Sequence, residues 1–413
     1  MNILYINHYA GSLKYGMEFR PYYLAKRWIA NGHKVTMMAA SYSHIRAKQP
    51  EVTTPFVSEI IDGITYQWCK TPSYEQNGAK RFVNMLVFIF RLFQYAFKIN
   101  SVDAPTAVIA SSTYPLDIFP AWFIAKKFKA KLIFEVHDLW PLSPIELGGM
   151  SKYHPFIMLI QFAEDFAYKH SDSVVSMLPK TLEYMVSRGL KKEKFNYIPN
   201  GIELKEWETS GLHANSENGK LIEEKIQSCK AEGFFTVAYL GTHGLANCLE
   251  NLINAAEILR DEKIFFFFVG PGPEKESLKA LAQKKKLLNI IFVDSIPKGE
   301  IPIITKLFDV NYIGLKKESL FRFGISPNKL MDYMAAKKPI INAVEAGNDP
   351  VKEAGCGISV PAENPQALAF AIQEIKAKPE TELLLMGENG YKFVSNENDY
   401  EKLAQKFLKV MEK

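Results

Sequence analysis

The sequence predicts an α/β protein built from two doubly wound parallel-sheet domains in tandem; two such sheets facing each other would make a deep cleft. Three observations predict it. Short apolar runs alternate with amphipathic helical stretches over the first 200 residues. A polar stretch with Gly211, Asn215, Ser216, Asn218 and Gly219 then breaks the pattern over residues 205–232. After it the same alternation restarts and runs to the end of the 413-residue chain. That length suits two or three domains rather than one core. Regular strand–helix alternation is what a parallel sheet requires, because each strand needs a crossover to return the chain to the same end of the sheet.

In the first half, NILYINH at the N-terminus reads as a strand, and MEFRPYYLAKRWIANG as a helix stopped at Gly32. HKVTMMAAS, TAVIASS, AKLIFEVHD, SDSVVSML and KFNYIPNG are the strands that follow. The polar stretch leads into a helix, LIEEKIQSCKAEG. In the second half FFTVAYLG, IFFFFVGPGP, NIIFVDS, VNYIGL and KPIINAV read as strands. LENLINAAEIL, ESLKALAQKKKL and EIPIITKLF are the helices between them, and residues 397–413 form a closing amphipathic helix.

Composition narrows the class. Hydrophobic residues make up 47% and charged residues 23%, an ordinary globular balance. A net charge of +5 is too weak to argue for nucleic acid. The cysteines Cys69, Cys229, Cys248 and Cys356 have no paired spacing. They point to a reducing compartment and to neither a disulfide framework nor a zinc site. The opening run MNILYINHYAGS lacks the basic start of a secretory signal. No run of about 20 uncharged apolar residues occurs, so no transmembrane helix is expected. A cytoplasmic protein is the expectation.

Ligands of open parallel sheets sit beyond the C-terminal ends of the strands. Informative residues should therefore follow strands, as His8–Gly11, His137–Asp138, Gly241–Gly244 and Gly270–Gly272 do. The stretch SLFRFGISPNKLMDYMAAKKP, residues 319–339, is the most suggestive. Ser326 fits an N-cap and Pro327 a first helical position. Free N–H groups and the helix dipole there make an anion site. Lys329 adds a positive charge. Asp332 follows it on the same face, offset by about 4.5 Å at ~1.5 Å rise per residue. A phosphate and the neighbouring ribose hydroxyls would suit that pair. An ordinary capped helix with a surface ion pair has the same local pattern.

Several stretches together resemble family 4 glycosyltransferases, retaining enzymes with the GT-B fold. HYAGSLKYGMEFRPYYLAKRWIANGHKVTMMAA is similar to their Gly-containing first loop and Gly-His-x-Val second strand, and EVHDLWP to their His-Asp motif. NYIPNGIE resembles their entry into the second domain, and VGPGPEKESLKALA their Val-Gly-x-Gly-Pro turn. SPNKLMDYMAAKKPII with AGNDPVKEAGCGISV resembles the donor-binding segment most specifically. Within the family, bacterial surface-polysaccharide enzymes of the L-fucosamine transferase type are the most similar.

The resemblance implies a sugar, expected to be an N-acetylated and sometimes 6-deoxy hexosamine, moved from a UDP-sugar to a glycan or polyprenyl-diphosphate-linked acceptor. No metal and no other cofactor are expected. It implies an acceptor-binding domain over residues 1–200, a nucleotide-sugar domain over 201–395, and a helix 396–413 packed back on the first domain. His137, Asp138 and Lys329 would be catalytic. Gly11, Thr242, His243, Gly244, Ser295, Ile296, Arg322, Ser326, Pro327, Asn328 and Asp332 would hold the donor. Glu18 and Arg20 would face the acceptor. Gly347, Asn348, Asp349 and Pro350 read as a helix cap, and Gly270, Pro271 and Gly272 as a tight turn.

Two features depart from the family. Its Glu-x7-Glu pattern falls on Gly324 and Asp332 here, and its basic Arg and Lys after the first strand of the second domain are absent from GTHGLANCLEN. Lys329 and Arg322 are then the nearest cations for a diphosphate. Residues 80–98 are aromatic and basic, with no acidic residue between Glu75 and Asp103. They fit an interfacial helix at the inner leaflet, or equally a core helix. Two other functions remain open at this level: a UDP-N-acetylglucosamine 2-epimerase-like enzyme, and a catalytically degenerate binding protein.

Overall fold

The computed structural model describes residues 1–75, 78–208 and 211–412. The chain divides into two compact units. One comprises residues 1–200 with the closing helix Tyr400–Glu412, the other Gly201–Asp399.

The first unit is laid on an eight-stranded sheet among the described residues. Its strands are β1 (Asn2–Ile6), β2 (Lys34–Ala40), β3 (Phe56–Ile61), β4 (Ile64–Cys69), β5 (Ala107–Ala110), β6 (Lys131–Val136), β7 (Ser173–Ser176) and β8 (Phe195–Tyr197). They lie in the order β3-β4-β2-β1-β5-β6-β7-β8. Central strands such as β5 (AVIA) are buried along their whole length, because helices cover both faces of such a sheet. The edge hairpin β3–β4 is the only antiparallel pair among the described strands and was not among the expected elements. Its turn is Asp62–Gly63, with φ of 48° and 83°. An Asp-Gly pair is a strong short-range hairpin signal, because both positions of that turn need positive φ.

The closing helix buries Leu403, Ala404, Phe407, Val410 and Met411 against the helix Arg20–Ala30 of the same unit. The Trp28 indole N–H donates to the Ala404 carbonyl at 3.1 Å. Tyr400 stacks on Tyr23 with ring centroids 5.0 Å apart, and Arg27 pairs with Glu401 at 2.9 Å.

The helix Ala79–Ala96 has a buried face and an exposed one. Met85, Phe88, Leu92 and Ala96 are buried, while Val83, Leu86 and Phe90 lie exposed. Among the described residues no helix is long and apolar enough to cross a membrane.

The second unit has six parallel strands among the described residues: β9 (Phe235–Leu240), β10 (Ile264–Val269), β11 (Ile290–Val293), β12 (Val310–Gly314), β13 (Ile340–Ala343) and β14 (Gly357–Ser359). Their order is β11-β10-β9-β12-β13-β14. The run IFFFFV makes β10 a two-sided core strand. Phe265 and Phe267 join one cluster with Ala238 and Leu240, and Phe266 and Phe268 the opposite one with Val237 and Tyr239.

One charged residue lies buried within a strand of the first sheet. Glu135 lies inside β6 and is fully buried. Its partner is Arg20, also fully buried, at 2.9 Å. Tyr5 and Ser111 each donate a hydroxyl to its other oxygen at 2.6 Å. Arg20 further donates to the carbonyls of Ile198 and Pro199. The acceptor contact expected of Arg20 is therefore corrected: its guanidinium is enclosed and its donors are occupied. Burial opposes the charged carboxylate, but Arg20, the His137 hydrogen bond and Ser111 hold it well below the usual carboxylate range. Breaking such a pair from one side leaves a buried charge unmatched, which costs about 3–5 kcal/mol. Glu135→Gln should lower the urea midpoint of unfolding by a corresponding amount, read by tryptophan fluorescence. An unchanged midpoint would remove the pair from this structural role.

Candidate functional site

In the second unit the site forms where β9, β10 and β12 end. The helix Asn328–Ala335 begins there, with Pro327 at the capping position (φ −76°, ψ 132°) and no side chain capping it. The expected Ser326 cap and Pro327 first turn are thus corrected by one residue. The extended Pro327 backbone starts the helix only at Asn328.

Lys329 occupies the first turn, where the dipole is positive. Its ammonium donates to the Tyr239 hydroxyl at 2.6 Å and to Asn247 Oδ1 at 2.8 Å, and it lies 4.4 Å from the Tyr239 ring centroid. Tyr239 and Asn247 in turn both donate to the Thr242 carbonyl. Among the described residues Lys329 has no carboxylate partner. Burial lowers its pKa to about 8. Asp332 is half-buried, and burial pushes its carboxyl up to about 7, with Lys298 pulling it down and Glu206 pushing it further up. Two ionisable groups of opposite sign thus share one helix face with incomplete compensation, a recurrent property of functional sites.

The loop after β9 carries Thr242, His243 and Gly244. The His243 N–H donates to the Pro271 carbonyl at 2.7 Å and the Gly244 N–H to the Thr242 carbonyl at 3.0 Å. The turn thus uses the N–H groups of His243 and Gly244 itself. The His243 ring is fully buried against Phe268 and Phe292. Burial, then Lys275 and Lys329, lower its pKa to about 4, which keeps it neutral. Thr242 is exposed. Lys275 ties the ends of β10 and β11 together through the carbonyls of Gly270 and Val293 and the carboxylate of Asp294. Ser295 is exposed, and its carbonyl accepts from Asn218 at 2.9 Å. Ile296 is partly buried against the core.

Gly324 explains its own identity. Its φ is 99° and ψ 174°, a region essentially restricted to glycine. It ends the short helical turn Ser319–Phe323. Next to it, the Asn348 side chain accepts from the Ile325 N–H at 2.7 Å and donates to the Ile325 carbonyl at 3.1 Å. Asn348 thus clamps the backbone leading into the helix, and Asp349 caps the next helix through the Lys352 N–H. Arg322 is exposed, with its guanidinium over the Phe323 ring at 4.3 Å. Asn328 is also exposed.

In the first unit, His137 follows β6 directly. Its Nε2 lies 2.9 Å from the Ser111 hydroxyl and 3.5 Å from Glu135. Since Ser111 donates to Glu135, the imidazole N–H donates to Ser111. Burial disfavours the charged ring, but the hydrogen bond and charge of Glu135 and the charge of Glu18 outweigh it and raise the pKa. Glu18 is thereby placed near His137, and Asp138 is exposed beside it. Gly11 is needed for a local reason. A Cβ there would stand 1.9 Å from the Gly16 carbonyl oxygen, where the chain folds back and the Gly11 N–H donates to the Glu18 carbonyl.

Sequence reasoning missed Tyr239, Asn247, Ser111 and Glu135. Only Glu135 carried a signal, as a lone charge inside the apolar strand KLIFEV. No group of three potential metal ligands occurs among the described residues.

Two parallel-sheet α/β domains, with the charged residues of the second at its strand ends, define a GT-B glycosyltransferase. Two family descriptions match the chain, "Glycosyl transferase 4-like domain" over residues 15–201 and "Glycosyl transferases group 1" over residues 222–393. The chain belongs to this glycosyltransferase family and is itself a glycosyltransferase. The probable glycosyltransferase WbjE of Pseudomonas aeruginosa is 28% identical over 331 residues, 78% of each chain. The putative colanic acid biosynthesis glycosyl transferase WcaI of Escherichia coli is 23% identical over 262 residues, 62% of each. HepE of Anabaena, solved in complex with UDP, shares the fold with a TM-score of 0.68 at 13% identity, over 100% of both chains.

The backbone at Gly324 makes a specific prediction. Gly324→Glu should destabilise the chain by about 1–3 kcal/mol and lower its melting temperature. An unchanged melting temperature would show that this backbone is not held at positive φ.

Proposed function

We propose that the protein transfers an N-acetylated hexosamine from a UDP-sugar, with retention, to a glycan or polyprenyl-diphosphate-linked acceptor during surface polysaccharide synthesis. The observation that carries the donor assignment is Lys329: an ammonium held by two neutral oxygens at a helix start, with no carboxylate partner among the described residues. An anion is what such a site lacks. In this reading the diphosphate takes Lys329, with Ser326, Pro327, Asn328, Thr242 and Arg322 around it. Asp332 accepts the ribose hydroxyls, and Ser295 and Ile296 flank the base. UDP in the HepE complex and the colanic acid assignment of WcaI support the nucleotide and the pathway class.

As the glycosidic bond breaks, negative charge grows on the β-phosphate. A lysine and helix N–H groups aimed at it stabilise the transition state more than the ground state. His137, oriented by Ser111 and Glu135, is assigned to hydroxyls of the transferred sugar. Asp138 and Glu18 are assigned to the same region on the acceptor side. Neither an epimerase nor a degenerate binding protein is favoured by the two family matches.

Lys329→Ala should lower kcat by about a hundredfold or more, since one lost donor of this kind costs roughly 3 kcal/mol. The pH profile is sharper. The donor kcat/KM follows free-enzyme groups. It should fall below about pH 7 as Asp332 is protonated and above about pH 8 as Lys329 loses its proton. Lys329→Arg should move the alkaline limb upward, because a guanidinium stays charged. An alkaline limb that stays in place in that variant would rule Lys329 out as its source.

The proposal extends to the inner face of the cytoplasmic membrane. Phe90 and Phe97 are exposed by 58% and 72%, in a segment whose charges are all basic, as interfacial helices require. Sedimentation with anionic phospholipid vesicles should carry the protein down. Phe90→Glu/Phe97→Glu should leave it in the supernatant. Equal sedimentation of both proteins would remove this segment from membrane contact.

A further inference from the structure

An apolar pocket of about 860 Å³ opens in the first unit, between the start of the helix Ala79–Ala96 and the start of the helix Pro155–His170. That size is typical of sites that enclose a ligand, roughly 300–1,000 Å³. Phe82, Met85, Trp140, Phe156 and Leu159 supply most of its wall. The rings of Phe82 and Phe156 meet edge-on at 5.3 Å, and those of Trp140 and Phe156 at 6.3 Å. No acidic residue occurs among its described lining residues. The charged residue that lines it is Arg81, which donates to the Tyr9 hydroxyl at 2.9 Å and lies 5.6 Å from that ring's centroid.

The apolar surface does not stop at the pocket. It continues outward along both helices through Val83, Leu86, Met158 and Phe162, each exposed by 43–62%. A concave apolar chamber with one cation at its side, open to an apolar outer surface, matches an amphiphile with an anionic head and a long hydrocarbon tail.

We infer that this pocket receives the hydrocarbon tail of a lipid-linked phosphate acceptor, with Arg81 beside its phosphate. This rests on the transferase reading above and names its acceptor class. Tail burial fixes the acceptor by a segment that takes no part in the chemistry, and such remote binding energy can be used to position the reacting group. Burial of apolar area stabilises by about 25 cal/mol per Å², so chain length should govern affinity.

The test uses the full chain and farnesyl diphosphate as probe, followed by titration calorimetry, with farnesol and inorganic diphosphate as comparisons. Farnesyl diphosphate should bind at least tenfold more tightly than either. Leu159→Glu should weaken it at least tenfold by placing charge in the wall, and Arg81→Gln should weaken farnesyl diphosphate more than farnesol. UDP binding, measured in parallel, reports the second unit alone. Equal affinity of wild type and Leu159→Glu for farnesyl diphosphate, or inorganic diphosphate binding as tightly, would overturn the pocket's assignment while UDP binding persists. Self-association lost in Leu159→Glu with lipid affinity intact would also overturn it, in favour of a second copy of the chain. Absence of UDP binding in the wild type would instead sink the proposed UDP-sugar donor.

Discussion

The first unit is organised around one buried carboxylate. Glu135 reaches β1 through Tyr5, β5 through Ser111, the first long helix through Arg20 and the neighbouring His137 of its own chain segment. Arg20 carries the connection on to Ile198 and Pro199, at the end of the unit's main segment. A buried charge must be matched or it costs several kcal/mol. Each of these elements is therefore held in one arrangement, because any other would leave an ion or a hydroxyl unsatisfied. The same network fixes the orientation of His137 and raises its pKa. Structural order and the chemistry of that histidine have one physical origin.

The second unit uses the opposite principle. Lys329 is partly buried with neutral partners only, and burial alone lowers its pKa. Tyr239 and Asn247 position the ammonium without neutralising it. An anion arriving there would meet a preorganised, under-compensated charge, the condition under which electrostatic stabilisation is largest. One unit has completed its ion pair and gained rigidity. The other has left a charge without a counter-ion among the described residues.

The segment from Gly324 to Asp332 joins backbone geometry to that charge. The positive φ of Gly324 turns the chain out of a short helical turn, and Asn348 clamps Ile325 immediately after it. Extended Pro327 then starts the helix at Asn328, which sets Lys329 in its first turn. Glycine at this position thus acts through its backbone, as a bend that places the helix start.

Much of this protein could be read from its sequence alone. Strand–helix alternation, interrupted once and restarted, determined two parallel α/β domains, because apolar periodicity is a local property. The proximity of Lys329 and Asp332 was equally local, since helical rise fixes it. What required tertiary structure were contacts between residues far apart in the chain. Tyr239 and Lys329 are ninety positions apart, Arg20 and Glu135 one hundred and fifteen; no spacing rule joins them. For the same reason Arg20 could pass for an exposed ligand until its buried partner was found. The free-looking N–H groups of His243 and Gly244 belonged to a turn closed by Pro271 and Thr242. Sequence fixes which groups a chain can offer; packing decides which of them are already satisfied and which are left to bind.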